Sequence, residues 1–119
     1  MEKRAKTIIS DIDGVIFKHT GDISELHLID PVLLPGVKEK WVEFDRSGCR
    51  IILVTGRRES TRKKTEEQLS KAGIFYDQLV MGVGGGPRVL INDRKENSPD
   101  DMALAVNLIR NEGLKNVTL

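Results

Sequence analysis

Ile8-Ile9-Ser10-Asp11-Ile12-Asp13-Gly14-Val15-Ile16 is an apolar run that ends in two aspartates one residue apart, with glycine directly after the second. In an extended chain the side chains of residues i and i+2 point the same way. A strand continued through Asp13 therefore brings Asp11 and Asp13 into one small volume at its C-terminal end. Two like charges about 4 Å apart, at an effective dielectric near 20, repel by roughly 4 kcal/mol, a cost that a bound divalent cation removes. Gly14 supplies backbone freedom where the chain must turn.

Outward from this stretch, strands and helices alternate. Val37, Trp41 and Phe44 recur at helical spacing, with Lys38, Glu39, Lys40 and Glu43 on the other face, and Ser47-Gly48 ends that helix. Arg50-Ile51-Ile52-Leu53-Val54-Thr55 is a second strand, almost wholly apolar, as a strand buried on both faces should be. Gly56 follows, then a polar helix from about Glu59 to Ala72, closed by Gly73. Residues 76–81 read as a third strand, Gly82 to Pro87 as a flexible loop, and Arg88-Val89-Leu90-Ile91-Asn92 as a fourth strand ending at Asp93. Ser98-Pro99-Asp100-Asp101 has the cap, the first-turn proline and the early acids of a helix start. Met102, Ala105, Val106 and Ile109 form that helix's apolar stripe, Gly113 ends it, and Asn116 to Leu119 read as a short last strand.

This order predicts an α/β fold: a Rossmann-like three-layer α/β/α sandwich, its mostly parallel sheet of about five strands covered by helices on both faces through right-handed crossovers. The 119 residues fit a single domain, 1–119. The Gly14–Gly36 stretch shows no clear period, and residues 17–35 leave room for a minimal flap but no sizeable cap domain. Two readings follow, a homo-oligomer closing over a small phosphate or an open monomer acting on something bulky; the apolar residues Leu26, Leu28, Ile29, Leu33 and Leu34, taken as exposed, favour the homo-oligomer.

Nineteen basic against eighteen acidic side chains give a net charge of +1, which argues against a general nucleic-acid or membrane binder. The start, Met1-Glu2-Lys3-Arg4-Ala5-Lys6, is polar and unlike a signal peptide, and no segment is long enough to cross a bilayer, so a cytoplasmic protein is expected. Cys49 is the only cysteine, so no internal disulfide forms, and it reads as a core residue. His19 and His27 lack metal-ligand spacing and read as surface residues.

Sheets of this kind place their sites at the carboxyl ends of the strands. Asp11 and Asp13, Thr55, and Asp93 all fall there. A carboxylate can attack phosphorus to give an aspartyl-phosphate, and the anionic phosphate then calls for a neutralising metal. Asp93, from another strand, completes an oxygen-rich shell suited to magnesium, which takes one or two carboxylates and keeps its waters. Thr55, Gly56 and the amides after them stand where a strand gives way to a helix, a phosphate-binding position. Arg57 is a candidate to meet an anionic substrate. Asp13 is placed to protonate the leaving oxygen and then deprotonate the attacking water.

With these residues in view, the chain resembles the haloacid dehalogenase superfamily, most of whose members are magnesium-dependent phosphatases. Asp11-Ile12-Asp13-Gly14-Val15 matches the first family motif, Ile52-Leu53-Val54-Thr55-Gly56-Arg57 the second, and Leu90-Ile91-Asn92-Asp93 the last. The resemblance implies Asp11 as nucleophile and metal ligand, Asp13 as general acid/base with its backbone carbonyl on the metal, Thr55 on phosphate, and Asp93 on magnesium directly or through water. It implies a phosphorylated small-molecule substrate, of sugar or nucleotide type.

The family's lysine before the last motif has no counterpart here. Arg88 is the nearest cation and Lys95 the next; Arg88 starts the expected fourth strand and reaches the site only if the glycine loop brings it back. Asn97 stands where the family often has a second acid, with Asp100 and Asp101 a little further on. Two alternatives stay open: a non-catalytic metal- and phosphate-binding protein on the same scaffold, and a phosphoacceptor domain of the receiver type, which ranks last because the later strands end in Thr55 and Met81.

Overall fold

In the computed structural model, which describes residues 4–119, three parallel strands stand side by side in chain order: β1 (Thr7–Ser10), β2 (Arg50–Val54) and β3 (Gln78–Val80). Met1, Glu2 and Lys3, half of the polar start, lie outside the described residues. Ile8 stands opposite Ile51, Ile9 opposite Ile52, and Leu53 opposite both Ser10 and Leu79. Paired residues share a face, so Ile8, Ile51, Leu53 and Leu79 line one side of the sheet and Ile9, Ile52, Val54 and Val80 the other.

The first side is the core. Helix α1 (Val37–Arg46) joins β1 to β2 and contributes Val37, Trp41 and Phe44 to it; α2 (Arg62–Lys71) joins β2 to β3 and contributes Leu69. A sheet that steps twice in one direction through right-handed crossovers carries both helices on one face. Trp41 meets Phe44 edge to face at 5.2 Å, and its indole N–H donates to the Phe75 carbonyl at 2.9 Å, fastening α1 to the segment that leads into β3. On the other face Ile9 and Val80 remain about half exposed. The architecture is thus Rossmann-like, but among the described residues it has two layers and three strands rather than the expected three layers and about five strands.

The difference lies after Val80. The fourth strand expected at 88–92, the helix expected from Ser98 and the last strand expected at 116–119 are not formed among the described residues. Val89 and Ile91 are 81% and 90% exposed, and β-propensity is mostly a reward for packing that this run does not receive. The Ser98 hydroxyl does accept from the Asp100 amide, at 3.3 Å, so the cap signal is real. The stripe beyond it meets no partner: Met102, Val106 and Ile109 are exposed. Helices in water owe most of their stability to packing of an apolar face. Among the described residues the outer edge of β1 has no partner strand, and an apolar cavity of about 240 Å³ runs beside it, bordered by Ile8, Trp41, Phe44, Leu108 and Leu114.

The end of the chain is nonetheless tied to the core. Leu114 is buried, Leu108 and Val117 pack beside it, and the Leu114 amide donates to the Pro35 carbonyl at 2.8 Å. Gly113, at φ +81°, makes this approach possible, since a Cβ there would collide with the Pro35 carbonyl oxygen. The Asn111 carboxamide accepts from the His19 amide (2.7 Å) and donates to the His19 carbonyl (3.0 Å), while its own backbone N–H donates to the Gly14 carbonyl (2.9 Å).

Residues 16–18 and 32–34 pair as a narrow antiparallel stem, with Leu34 N–H donating to Ile16 O and Lys18 N–H to Val32 O, each at 2.9 Å. Beyond the stem a 3-10 helix, Ile23–Leu28, is capped by Asp22, whose carboxylate accepts from the Ser24 amide at 2.9 Å. Leu26 and Leu34 are buried and Leu33 is half buried, while Leu28 and Ile29 stay exposed. Three of the five residues invoked for an oligomer therefore point inward, which removes most of the ground for that expectation. Cys49 is half buried against the core. Among the described residues no helix is long and apolar enough to cross a membrane.

Candidate active site

The turn after β2 organises the site. The Thr55 amide donates to Val80 O and the Val83 amide to Thr55 O, each at 3.0 Å, so the β2–β3 pairing continues past the named strands. The Thr55 hydroxyl accepts from the Arg57 amide at 3.1 Å, and Gly82 N–H donates to Arg57 O at 2.8 Å. These bonds close the chain tightly around Gly56 and send the Arg57 side chain inward, where only 3% of the residue is exposed.

Buried arginine needs partners, and Arg57 has them. Its Nε and Nη2 donate to Asp13 Oδ2 and Oδ1 at 2.9 and 2.8 Å, a two-pronged match of guanidinium to carboxylate. Its Nη1 donates to Thr65 Oγ1 at 3.1 Å and to Gln68 Oε1 at 2.5 Å. Arg57, expected to meet a phosphate, instead holds Asp13.

Asp11 has a different partner. β1 stops at Ser10 and the chain bends at Ile12, so the alternation that would align Asp11 with Asp13 ends before either residue. Gly14, at φ +89°, continues the bend. The Asp11 carboxylate accepts from the Ile12 amide at 2.9 Å and lies 3.4 Å from Arg88 Nη1; both side chains of this ion pair are about one-third exposed. Residues 88–92 do not run as a strand, and Arg88 lies within reach of Asp11. The repulsion anticipated between the aspartates is met by two arginines, one for each carboxylate.

Asp93 does not join them. It is exposed, with Lys95 Nζ at 3.7 Å. Asp101 pairs with Arg94, Asp100 is exposed, and Asn97 adopts a left-handed backbone. Among the described residues no three of His, Cys, Asp and Glu gather as a metal-binding group. The set Asp11, Asp13 and Asp93 is therefore not assembled as a magnesium shell in this arrangement. Gly56 lies beneath the flap: a Cβ there would meet Ile23 Cδ1 at 3.3 Å and Val83 O at 3.2 Å.

The Ser24 amide holds the Asp22 carboxyl below its ordinary range. The Arg62 guanidinium does the same for Glu59, and Arg62 is raised in turn by that partner. Burial pushes the Tyr76 phenol up.

Sequence reasoning missed Thr65, Gln68 and Asn111. For the first two a signal existed: polar residues three apart on α2, beside the apolar Leu69, all on the inward side. For Asn111, at φ +68°, the only cue was a residue type that tolerates that backbone.

The chain matches solved structures in part. It is 29% identical to a chain in the structure of the Pnkp1/Rnl/Hen1 complex, with 78% of this chain and 31% of that chain covered and a TM-score of 0.55. A chain in the structure of the Pnkp1/Rnl/Hen1 RNA repair complex is 27% identical, covering 71% of this chain and 28% of that one, with a TM-score of 0.55. D,D-heptose 1.7-bisphosphate phosphatase from B. bronchiseptica, crystallised with magnesium and phosphate, is 19% identical over 67% of this chain and 51% of that one, at a TM-score of 0.47. The chain spans about a third of the length of the first two solved chains. No family model and no curated protein matches it.

Proposed function

We propose that this chain is a phosphoric monoester hydrolase of haloacid dehalogenase type, working through an aspartyl-phosphate on Asp11. The observation that carries this reading is the Asp11–Arg88 contact at the end of β1, 3.4 Å across and open to solvent. It gives the nucleophile an adjacent cation where the family's lysine is missing. The three sequence motifs support the same reading.

In this mechanism Arg88 receives the phosphate and screens its charge from Asp11, while Thr55, Gly56 and the amides of their turn border the same end of the sheet. An Asp11 oxygen forms a bond to phosphorus as the ester P–O bond breaks. A proton on Asp13 passes to the departing alkoxide, which leaves as the alcohol; with both oxygens accepting from Arg57 the carboxylate has none to give, so one oxygen first leaves the guanidinium and takes up the proton. Water then attacks the aspartyl-phosphate, its proton goes to Asp13, and phosphate leaves with Asp11 restored. Arg57 orients Asp13 through the oxygen that stays bound to it.

The test is phosphate release from aryl, sugar and nucleotide monoesters, with and without magnesium. Wild type should turn over, and Asp11→Asn should abolish release with the far-UV spectrum unchanged. Loss of a proton-transfer group lowers kcat about 10²–10⁴-fold, the range expected for Asp13→Asn. Stimulation by magnesium that disappears in Asp93→Asn would assign Asp93 to the working site as a magnesium ligand. Binding of phosphate with no turnover of any ester would sink the catalytic reading and leave a binding protein.

A second substrate class is favoured by the likeness to chains of an RNA repair complex at 27–29% identity: the phosphorylated end of a nucleic acid, admitted by a site without a large cap. Faster release from a terminally phosphorylated oligonucleotide than from a hexose phosphate would select it.

A further inference from the structure

Gln68 is the best-connected polar side chain whose role the chemistry above leaves open. It projects from α2 into the interior and is 8% exposed. Its Oε1 accepts from Arg57 Nη1 at 2.5 Å, and its Nε2 donates to Leu26 O at 2.9 Å and Ile29 O at 2.8 Å. The orientation of the carboxamide is fixed by chemistry. A guanidinium can only donate and a carbonyl can only accept, so the oxygen must face Arg57 and the nitrogen the flap. Both amide hydrogens are used, and among the described residues no buried side-chain nitrogen or oxygen lacks a partner. A continuous polar chain thus runs from the flap carbonyls through Gln68 and Arg57 to both oxygens of Asp13.

We infer that Gln68 is a positioning residue that couples seating of the flap, residues 22–30, to the orientation of Asp13. If the flap lifts, the two donors of Gln68 lose their acceptors in a buried place, and a buried unpaired donor is costly. The carboxamide then turns toward water, Nη1 of Arg57 loses an acceptor, and the grip on Asp13 slackens. A seated flap gives the reverse: an Asp13 side chain held in place at the moment the site is covered. The coupling rests on the hydrolase reading for its purpose, but as a link between two sites it is reciprocal, so a change at Asp13 must also be felt at the flap.

Two measurements separate the inference from that reading. The first compares an alkyl phosphate, whose leaving group needs a proton, with p-nitrophenyl phosphate, whose leaving group does not. Gln68→Met, which keeps the volume and removes every hydrogen bond, should lower kcat on the alkyl ester at least about tenfold more than on the aryl ester, a fraction of the full effect of a general acid. Equal losses on both esters, or none, overturn the inference, because a merely structural defect does not sense the leaving group. The second is hydrogen–deuterium exchange over residues 19–31. Gln68→Glu still accepts from Arg57 but donates nothing to the flap, and should speed exchange there. Asp13→Asn, far along the chain of contacts, should speed it as well. If wild type hydrolyses no ester, the hydrolase reading fails and exchange alone decides: acceleration in both variants upholds the coupling, and flap exchange unchanged in Asp13→Asn overturns it.

Discussion

Arg57 reaches four acceptor atoms on three residues, Asp13 after β1 and Thr65 and Gln68 on α2, and its worth is best judged by what its removal would strand. Arg57→Met leaves the Asp13 carboxylate buried without its counter-charge and the Gln68 oxygen without a donor. Breaking a buried pair from one side costs about 3–5 kcal/mol. The exposed Arg50–Asp77 pair, 4.0 Å apart, sets the contrast: exposed pairs contribute about 0–1 kcal/mol. Urea unfolding of Arg57→Met and Arg50→Met should show this gap, and equal midpoints would refute the weight given to Arg57. The identities of Asp11, Asp13 and Thr55 as candidate site residues were legible because strand ends and residue types are local properties. The partner of Asp13 was not. Whether a side chain leaves a turn inward or outward depends on bonds such as Thr55 Oγ1 to the Arg57 amide and Gly82 N–H to Arg57 O, and the second of these comes from a distant segment.

Among elements, the flap rests on few bonds, and one of them is titratable. Asp22 caps the 3-10 helix, and its carboxyl lies below the ordinary range because the Ser24 amide donates to it. A pKa lowered by folding means that the cap's contribution is fully present above the unfolded value and is lost as pH falls through the folded value. The Ser24 amide resonance should therefore follow a midpoint below that of an unstructured aspartate, with the flap loosening over the same interval. A midpoint at the ordinary aspartate value would contradict the cap. Elements α1 and β2 were readable because periodicity and burial agree in them: Val37, Trp41 and Phe44 do face the core, and Ile51 and Leu53 are fully buried. The helix expected after Ser98 shows the opposite case. Its start signals are local and its cap bond exists, yet a helix needs a surface to lie on, and sequence spacing carries no record of whether one is there.

For the molecule as a whole, the radius of gyration of 15.0 Å exceeds the roughly 13.5 Å of a compact chain of this length. The long axis measures 49 Å. Residues after Val80 carry neither strand nor helix, while Asn111, Gly113, Leu114 and Val117 hold to Gly14, His19, Pro35 and the core. The chain is thus fastened at both ends of a long exposed span that includes Arg88, Arg94 and Lys95. Such spans are where proteases cut first. Brief trypsin treatment should nick the protein there, giving two bands on a denaturing gel but one peak in gel filtration at the elution volume of the uncut protein. Separation of the C-terminal piece would show that the tether at Gly113 and Leu114 is too weak to hold it. Because that tether joins the Leu114 amide to the Pro35 carbonyl, the Asn111 side chain to His19 and a buried Leu114 to the core, the terminal peptide behaves as a clasp. Made separately and added back, it should rejoin a chain cut short before Lys95 and restore its melting temperature, so that the protein assembles from two pieces as it does from one.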